Sequence, residues 1–293
     1  MKSPSPFRQH ARVIQHFASR RSLEVLALQG SPILGCVLGG FSLERSGLVR
    51  LGLLLLGSLM LTAHVFVFND WAGHESDIRD PRRAELVFSR QGISGPQVAG
   101  VAIALLILAN VAFVAVGRPA MLLGAAIAVL SLLYSGSPSF GKSKAIVASL
   151  DHLLGGALHF LLGYTLWRPV DVRGLMISLF FGLVFAAGHL NQEVRDHDGD
   201  LLNGIRTSAV VFGCRPAFLA SLFTFSASYA LLAGLAALDI LPRLLLWSIV
   251  LWPLHVAWSL RALQRGLGFE TAVWMQRRYR LLFACIGLLM LVR

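Results

Sequence analysis

The chain has 293 residues, of which 56% are hydrophobic and only 14% are charged. A soluble domain carries roughly 25% charged residues, so this composition argues against a pair of soluble domains and favours one helical membrane bundle. The net charge of +11 is compatible with binding to nucleic acid, but the distribution of the basic residues argues against that partner.

The first element in chain order is a basic, mildly amphipathic arm at residues 1–22, which we interpret as an interfacial helix on anionic membrane lipid. The arm lacks an apolar core followed by a small-residue cleavage site, so it is not predicted to be a cleavable signal peptide. Residues 23–293 are predicted to form a single transmembrane domain, an all-α polytopic bundle of about nine helices. The predicted spans are 23–41, 48–69, 97–117, 119–135, 145–167, 173–193, 216–238, 241–262 and 280–292.

The Lys and Arg residues are distributed unevenly between the two sides of this predicted bundle. The arm, the loops after the second, fourth, sixth and eighth spans, and the span ends next to the last of these loops hold 19 of the 26. An excess of basic residues marks the cytoplasmic side of a membrane protein. We therefore predict a cytoplasmic amino terminus, in a bacterial-type inner membrane.

The first acidic cluster follows the second span. Its acidic members are Asp70, Glu75, Asp77, Asp80 and Glu85. If the helix continues through this cluster, Asn69, Gly73 and Asp77 stack along one face at a spacing of four residues. The cluster is therefore a candidate set of oxygen ligands at a helix end.

The second acidic cluster follows the sixth span and contains Glu193, Asp196, Asp198 and Asp200. Asp196 and Asp200 are one helical turn apart, so both can face one cation. Hard oxygen ligands without cysteine favour Mg²⁺ over Zn²⁺. Mg²⁺ held by a few carboxylates keeps open positions for water or for substrate phosphate.

Both clusters are predicted on the cytoplasmic side, together with several Arg and Lys residues. Carboxylates at membrane helix ends are costly unless they are paired, solvated or bound to a cation, so two clusters on one side suggest a shared site. The alternative is that each carboxylate is a solvated surface charge. We interpret His64, His159 and His189 as buried hydrogen-bonding groups, and Phe160 and Phe181 as packing residues.

These motifs resemble those of the UbiA superfamily of intramembrane prenyltransferases, and the resemblance covers most of the chain. The family's first motif, NDxxDxxxD, is similar to Asn69-Asp70 followed by Gly73 and Asp77. Its second motif, DxxxDxxxG, is similar to the segment 196–204, which continues into Arg206-Thr207. Two further segments are similar to those of the family: 80–94, and Tyr134-Ser135 followed by Pro138 and Lys142. The middle aspartate of the first motif is replaced by Gly73 in this chain.

The resemblance implies roles for individual residues. The implied catalytic residues are Asp70, Asp77, Asp196 and Asp200. The implied metal ligands, for Mg²⁺, are Asn69, Asp77, Asp196 and Asp200. The implied diphosphate-binding residues are Arg82, Arg83, Lys142, Arg195 and Arg206.

The activity implied is Mg²⁺-dependent transfer of an isoprenyl group from an allylic diphosphate to an aromatic or lipid-soluble acceptor, with membrane lipid around the bundle. Three alternatives remain open. The first is an intramembrane terpene cyclase on the same fold. The second is a non-catalytic transporter or lipid-binding protein, and the third is a family member that has lost catalysis at Gly73. The sequence does not indicate an oligomeric state.

Overall fold

The computed structural model describes residues 6–42, 44–136 and 141–292, and all of its regular secondary structure is helical. The predicted all-α fold is therefore confirmed. The α-helices are α1 (Pro6–Leu28), α2 (Gly30–Gly40), α3 (Arg45–Ala72), α4 (His74–Arg79), α5 (Gly95–Val116), α6 (Arg118–Gly136), α7 (Val147–Tyr164), α8 (Val172–Leu202), α9 (Ser208–Phe212), α10 (Cys214–Ala237), α11 (Leu251–Arg265) and α12 (Phe269–Leu291). Short 3₁₀ helices cover Ala84–Leu86, Phe88–Gln91, Gly141–Ser143 and Arg243–Val250. Pro138 lies outside the described residues.

Within the described residues, seven helical segments are long and apolar enough to cross a membrane. They are His10–Gly40, Arg45–Ala72, Gly95–Val116, Arg118–Gly136, Val172–Leu202, Cys214–Ala237 and Arg243–Arg265. The other two predicted spans correspond to α7 and α12, so the expected number of nine is approximate. Helix α12 begins at Phe269, whereas the predicted span begins at 280. The prediction places the start too late because Arg277, Arg278 and Arg280 interrupt the apolar pattern of the first half of the helix.

Helix α1 runs without a break through residue 22, where the sequence analysis divides the arm from the bundle. Its Val13 and Phe17 side chains are buried in a cluster with Val67 and Phe88. The apolar face of α1 therefore packs on the bundle next to the end of α3.

Helix α8 lies at the centre of the bundle and contacts α7, α10 and α12. The main core contains Phe160, Ile177, Tyr229 and Ile286, all of which are nearly inaccessible to solvent. At 31 residues, α8 is about 46 Å long, longer than the roughly 30 Å hydrocarbon core of a bilayer. Its last turns, which carry the second acidic motif, can therefore project beyond that core.

Helices α2 and α7 approach each other closely because both carry glycine at their contact. A Cβ atom at Gly163 would overlap the backbone carbonyl of Pro32. A Cβ atom at Gly35 would similarly overlap the backbone carbonyl of Phe160. Small residues of this kind let membrane helices pack backbone to backbone.

Replacing Gly163 by alanine is expected to destabilise the protein by about 1–3 kcal/mol, because rigid backbone must move to admit the methyl group. The measurement is thermal unfolding of the purified variant in detergent. Gly155→Ala on the same helix is the matched control, since nothing lies within 4 Å of its Cβ position. Equal melting temperatures for the two variants would contradict the proposed close packing.

Candidate functional site

The first motif lies where α3 gives way to α4. The Gly73 amide donates to the Asn69 carbonyl at 2.8 Å, and the Asp77 amide donates to the Gly73 carbonyl at 2.9 Å. The turn therefore continues the helical spacing of four, as the sequence predicts for these positions. The Asn69 side-chain oxygen accepts a hydrogen bond from the Ser135 hydroxyl at 3.1 Å, which ties the motif to the end of α6.

Arg83 connects the two acidic motifs. Its Nη1 lies 3.0 Å from an Asp77 oxygen, and its Nη2 lies 2.8 Å from an Asp196 oxygen. A turn at Asp80 directs Arg83 back toward the helices, since the Arg83 amide donates to the Asp80 carbonyl at 2.9 Å. The structure therefore brings Asp77 and Asp196 to opposite sides of one guanidinium.

Asp196 of α8 also has a second cationic partner. Arg195 binds both of its carboxylate oxygens, at 2.8 and 2.7 Å. Arg195 in turn donates to Gln276 of α12 at 3.0 Å, which fixes the guanidinium. Asp200 lies one turn further along α8 and is half-buried. The predicted pair of carboxylates on one helix face is therefore present.

Three predicted residues lie away from the Arg83 bridge. Asp70 is buried and pairs with Arg21 of α1 at 2.8 Å. Arg82 is exposed and pairs with Asp198 at 2.6 Å. Arg206 is also exposed. Sequence analysis missed Arg21 because the pairing spans 49 residues and α1 carries no motif.

Gly73 stands where the family motif has an aspartate, and Lys142 lies beside it. A Cβ atom at Gly73 would be 3.4 Å from the Lys142 ammonium nitrogen and 3.8 Å from an Asp77 oxygen. The ammonium group of Lys142 therefore borders the space into which an aspartate at position 73 would project. This arrangement places a positive charge close to the position where the motif lacks a negative charge.

Burial affects the ionisation of both groups beside Gly73. Desolvation raises the pKa of Asp77, against the opposing effect of the Arg83 charge. Desolvation also lowers the pKa of Lys142, although Asp77 and Asp200 oppose that change. Both charged forms are therefore costly at these buried positions and are stabilised by partners of opposite charge.

The donor chemistry of the site suits Mg²⁺. Asn69, Asp77, Asp196 and Asp200 offer only oxygen ligands, which Mg²⁺ prefers. Asp77 and Asp196 face a common point that already attracts a cation, the Arg83 guanidinium. Among the described residues, no three or more His, Cys, Asp or Glu side chains are grouped so that they could hold a metal ion.

Replacing Arg83 by glutamine is expected to lower the melting temperature by roughly 2–3 °C in EDTA. The variant removes the cation that lies between Asp77 and Asp196, while Arg195 stays bound to Asp196. The cost is about 1 kcal/mol once solvent screening of these partly exposed ion pairs is considered. Added Mg²⁺ should restore the melting temperature. Arg79→Gln, at an exposed neighbouring position, is the control. A loss of stability in Arg83→Gln that Mg²⁺ does not reverse would contradict a shared cation site.

Comparison with known families and structures identifies relatives across most of the chain. The profile of the UbiA prenyltransferase family matches residues 33–286. A comparison with curated protein sequences finds no significant match.

Solved structures with the same fold include a UbiA homolog from Archaeoglobus fulgidus bound to GPP and Mg²⁺. Its sequence is 18% identical to this chain and its TM-score is 0.67. The alignment covers 97% of this chain and 100% of that chain. A structure described as digeranylgeranylglyceryl phosphate synthase in membranes is 16% identical with a TM-score of 0.67, over 96% and 98% of the two chains. An apo UbiA homolog from Aeropyrum pernix K1 is 15% identical with a TM-score of 0.67, over 92% and 96%. At these identities the likeness establishes the fold.

Proposed function

The chain belongs to the UbiA prenyltransferase family, and on this premise we propose that it transfers an isoprenyl group from an allylic diphosphate to a lipid-soluble acceptor, with Mg²⁺. It is an integral membrane protein. The observation that carries the proposal is the position of Arg83 between Asp77 and Asp196, which gathers both acidic motifs around one cation-binding point. A solved relative bound to GPP and Mg²⁺ supports the same ligand class.

The diphosphate would bind among basic side chains at the motif end of the bundle. Asn69, Asp77, Asp196 and Asp200 would hold Mg²⁺, which supplies charge neutralisation for the departing diphosphate. Lys142 and Arg83 lie beside the same carboxylates and would bind phosphate oxygens directly. Arg195 holds Asp196 in place through its two hydrogen bonds. Arg82 and Arg206, which are exposed, would contribute to the same positive field.

The prenyl chain would extend from this site into the apolar bundle. Departure of the diphosphate leaves an allylic cation at C1 of the prenyl group. The surrounding apolar helices exclude water, which would otherwise convert the cation to an alcohol. The acceptor nucleophile then forms the bond to C1 and releases a proton. Asp70 is a weak candidate base in this structure, because it is already paired with Arg21.

We infer the side of the membrane on which the site lies from the distribution of the basic residues. The positive-inside distribution supports a cytoplasmic motif end, in a bacterial-type inner membrane. The substrate would then be the prenyl diphosphate of the cytoplasmic leaflet. We propose that the diphosphate enters from that side while the acceptor arrives through the lipid.

The test is to incubate the purified protein in lipid with Mg²⁺ and labelled geranyl, farnesyl or geranylgeranyl diphosphate, with and without an extract of lipid and aromatic acceptors. Diphosphate release that needs both Mg²⁺ and the extract, with a prenylated product identified by mass, is the expected result. Release without the extract, giving a new hydrocarbon, would identify a cyclase instead. An absence of release with every substrate would overturn the proposal.

A further inference from the structure

A group of polar side chains lies inside the bundle next to the motif end. It comprises Tyr134 of α6, Ser149 and His152 of α7, and His189 and Glu193 of α8. His189 Nε2 lies 3.2 Å from the Tyr134 hydroxyl, and its Nδ1 lies 3.4 Å from the Ser149 hydroxyl. The rings of His152 and His189 stack with their centroids 3.8 Å apart. These five residues, the polar cluster below, have no part in the diphosphate site described above.

The hydrogen bonding of His152 leaves one ring nitrogen as a base. Its Nδ1 lies 2.8 Å from the Ala148 carbonyl oxygen. A carbonyl oxygen can only accept, so Nδ1 carries the proton, and Nε2 of the neutral ring carries a lone pair. Within the part of the chain that the structure describes, Nε2 has no hydrogen-bond partner, and the side chain is only half-buried. His152 thus offers a hydrogen-bond acceptor to a ligand.

Glu193 is a buried member of the polar cluster, and one of its carboxylate oxygens lacks a hydrogen-bond partner among the described residues. The side chain is 3% exposed, and its Oε2 accepts a hydrogen bond from the Ser208 amide at 2.9 Å. Its Oε1 has no hydrogen-bond partner among the described residues, and it lies 3.5 Å from His189 Nδ1. A buried carboxylate oxygen without a partner is costly. If His189 is protonated at Nδ1, that nitrogen can donate a hydrogen bond to Glu193 Oε1.

The position of the polar cluster relates it to the proposed reaction. Glu193 precedes Asp196 by about one helical turn of α8, and His189 lies about 10 Å from Asp196 along the helix. Tyr134 is adjacent to Ser135, whose hydroxyl donates to Asn69. The polar cluster therefore lies between the acidic motifs and the apolar interior. This is where C1 of a prenyl chain would lie if its diphosphate were bound at the motifs.

We propose that the polar cluster is the acceptor site, that it takes a neutral acceptor carrying a hydroxyl group, and that His152 is its general base; this inference rests on the proposed function. The acceptor hydroxyl donates to His152 Nε2. The bond from C1 to the diphosphate breaks with its electron pair and leaves the allylic cation. The acceptor oxygen then forms its bond to C1, and its proton moves to Nε2. The products are a prenyl ether, diphosphate and the imidazolium of His152.

The surroundings of the polar cluster favour a neutral acceptor over a carboxylate. The contacts that the structure describes for its five side chains include no Lys or Arg. A carboxylate transferred into this low-dielectric site would require a cation partner. Its one acidic member, Glu193, would repel a carboxylate further.

Binding of three related probes tests the acceptor class. The purified protein in lipid, with the inert analogue geranyl S-thiolodiphosphate bound, is titrated with 1-naphthol, 1-methoxynaphthalene and 1-naphthoate. We expect 1-naphthol to bind at least tenfold more tightly than the other two, and His152→Phe to abolish the preference while keeping the ring stacked on His189. Equal affinities in the wild type, or a preference that survives in His152→Phe, would overturn the inference. Unchanged affinity for the thiolodiphosphate shows that the variant is folded.

Turnover tests the role of His152 as a base. With geranyl diphosphate and 1-naphthol, His152→Ala should lower prenyl transfer by about 100-fold or more, and added imidazole should restore part of the rate. His159→Asn, on the same helix but bonded to Ser58 outside the polar cluster, is the control and should transfer at the wild-type rate. If the wild type transfers the prenyl group and His152→Ala transfers it at the same rate, His152 is not the general base, and the proposed function still stands. No ionisation of any prenyl diphosphate by the wild type would refute the proposed function, and the binding titration would still decide the acceptor site.

Discussion

Replacing Asp196 by asparagine is expected to lower the rate of Mg²⁺-dependent diphosphate release by at least about 100-fold. Asp196 faces Asp77 across the Arg83 guanidinium, with its carboxylate 2.8 Å from that group. Asparagine keeps the shape of the side chain but removes the negative charge that would hold the metal. Loss of one preorganised electrostatic contact at a reacting centre costs about this much. The measurement is release of labelled diphosphate under saturating substrate.

Asp198→Asn is the matched control for this variant. Asp198 lies on the same stretch of α8 but is exposed, and its contact with Arg82 joins two side chains that are 67% and 41% exposed. An ion pair between two exposed side chains contributes little to stability. The control should therefore stay within about twofold of the wild type. Equal losses in the two variants would indicate a general effect of charge rather than a specific site.

Replacing Lys142 by glutamine is expected to raise the KM for prenyl diphosphate by about 10- to 100-fold. The ammonium nitrogen of Lys142 lies 3.4 Å from the position that a Cβ atom at Gly73 would take, beside Asp77. With one carboxylate of the family motif missing there, the site holds less negative charge, and a larger share of diphosphate binding would depend on the lysine. The measurement is the substrate dependence of diphosphate release at saturating Mg²⁺.

Lys144→Gln provides the comparison, because Lys144 is exposed and lies only two residues further along the chain. The Lys144→Gln variant removes one positive charge, as Lys142→Gln does, but at a position outside the site. We expect its KM to change less than twofold. A KM that rises equally in both variants would assign the effect to the general positive field rather than to the position of Lys142.

The helices of the bundle and the spacing within each acidic motif could be predicted because each depends on local patterns. Long apolar runs determine the helices, and a spacing of four places Asp196 and Asp200 on one face. Helix α12 was the least well predicted span. Its first half carries Arg277, Arg278 and Arg280, so hydropathy alone places its start too late.

The partners within the site could not be predicted, because they depend on how distant elements pack. Arg83 reaches Asp196 only through the turn at Asp80, and no sequence pattern specifies that direction. The Arg21–Asp70 pair depends on the docking of α1 through Val13 and Phe17.

The polar cluster combines three helices that are separated in the sequence. His189 was predicted to be a buried hydrogen-bonding residue, and it does contact Tyr134. Its stacking on His152 of α7 requires the tertiary structure. Neither residue belongs to a recognisable motif, so sequence analysis gives no reason to connect them.

The most direct test of the central claim is equilibrium binding of labelled geranyl S-thiolodiphosphate to the purified protein in lipid, measured across a series of Mg²⁺ concentrations. The claim is that the two acidic motifs form one site for a metal-bound prenyl diphosphate. It predicts binding that strengthens with Mg²⁺ in the wild type and is lost in an Asp77→Asn/Asp196→Asn double variant. Binding that is independent of Mg²⁺, or that survives in the double variant, would contradict it.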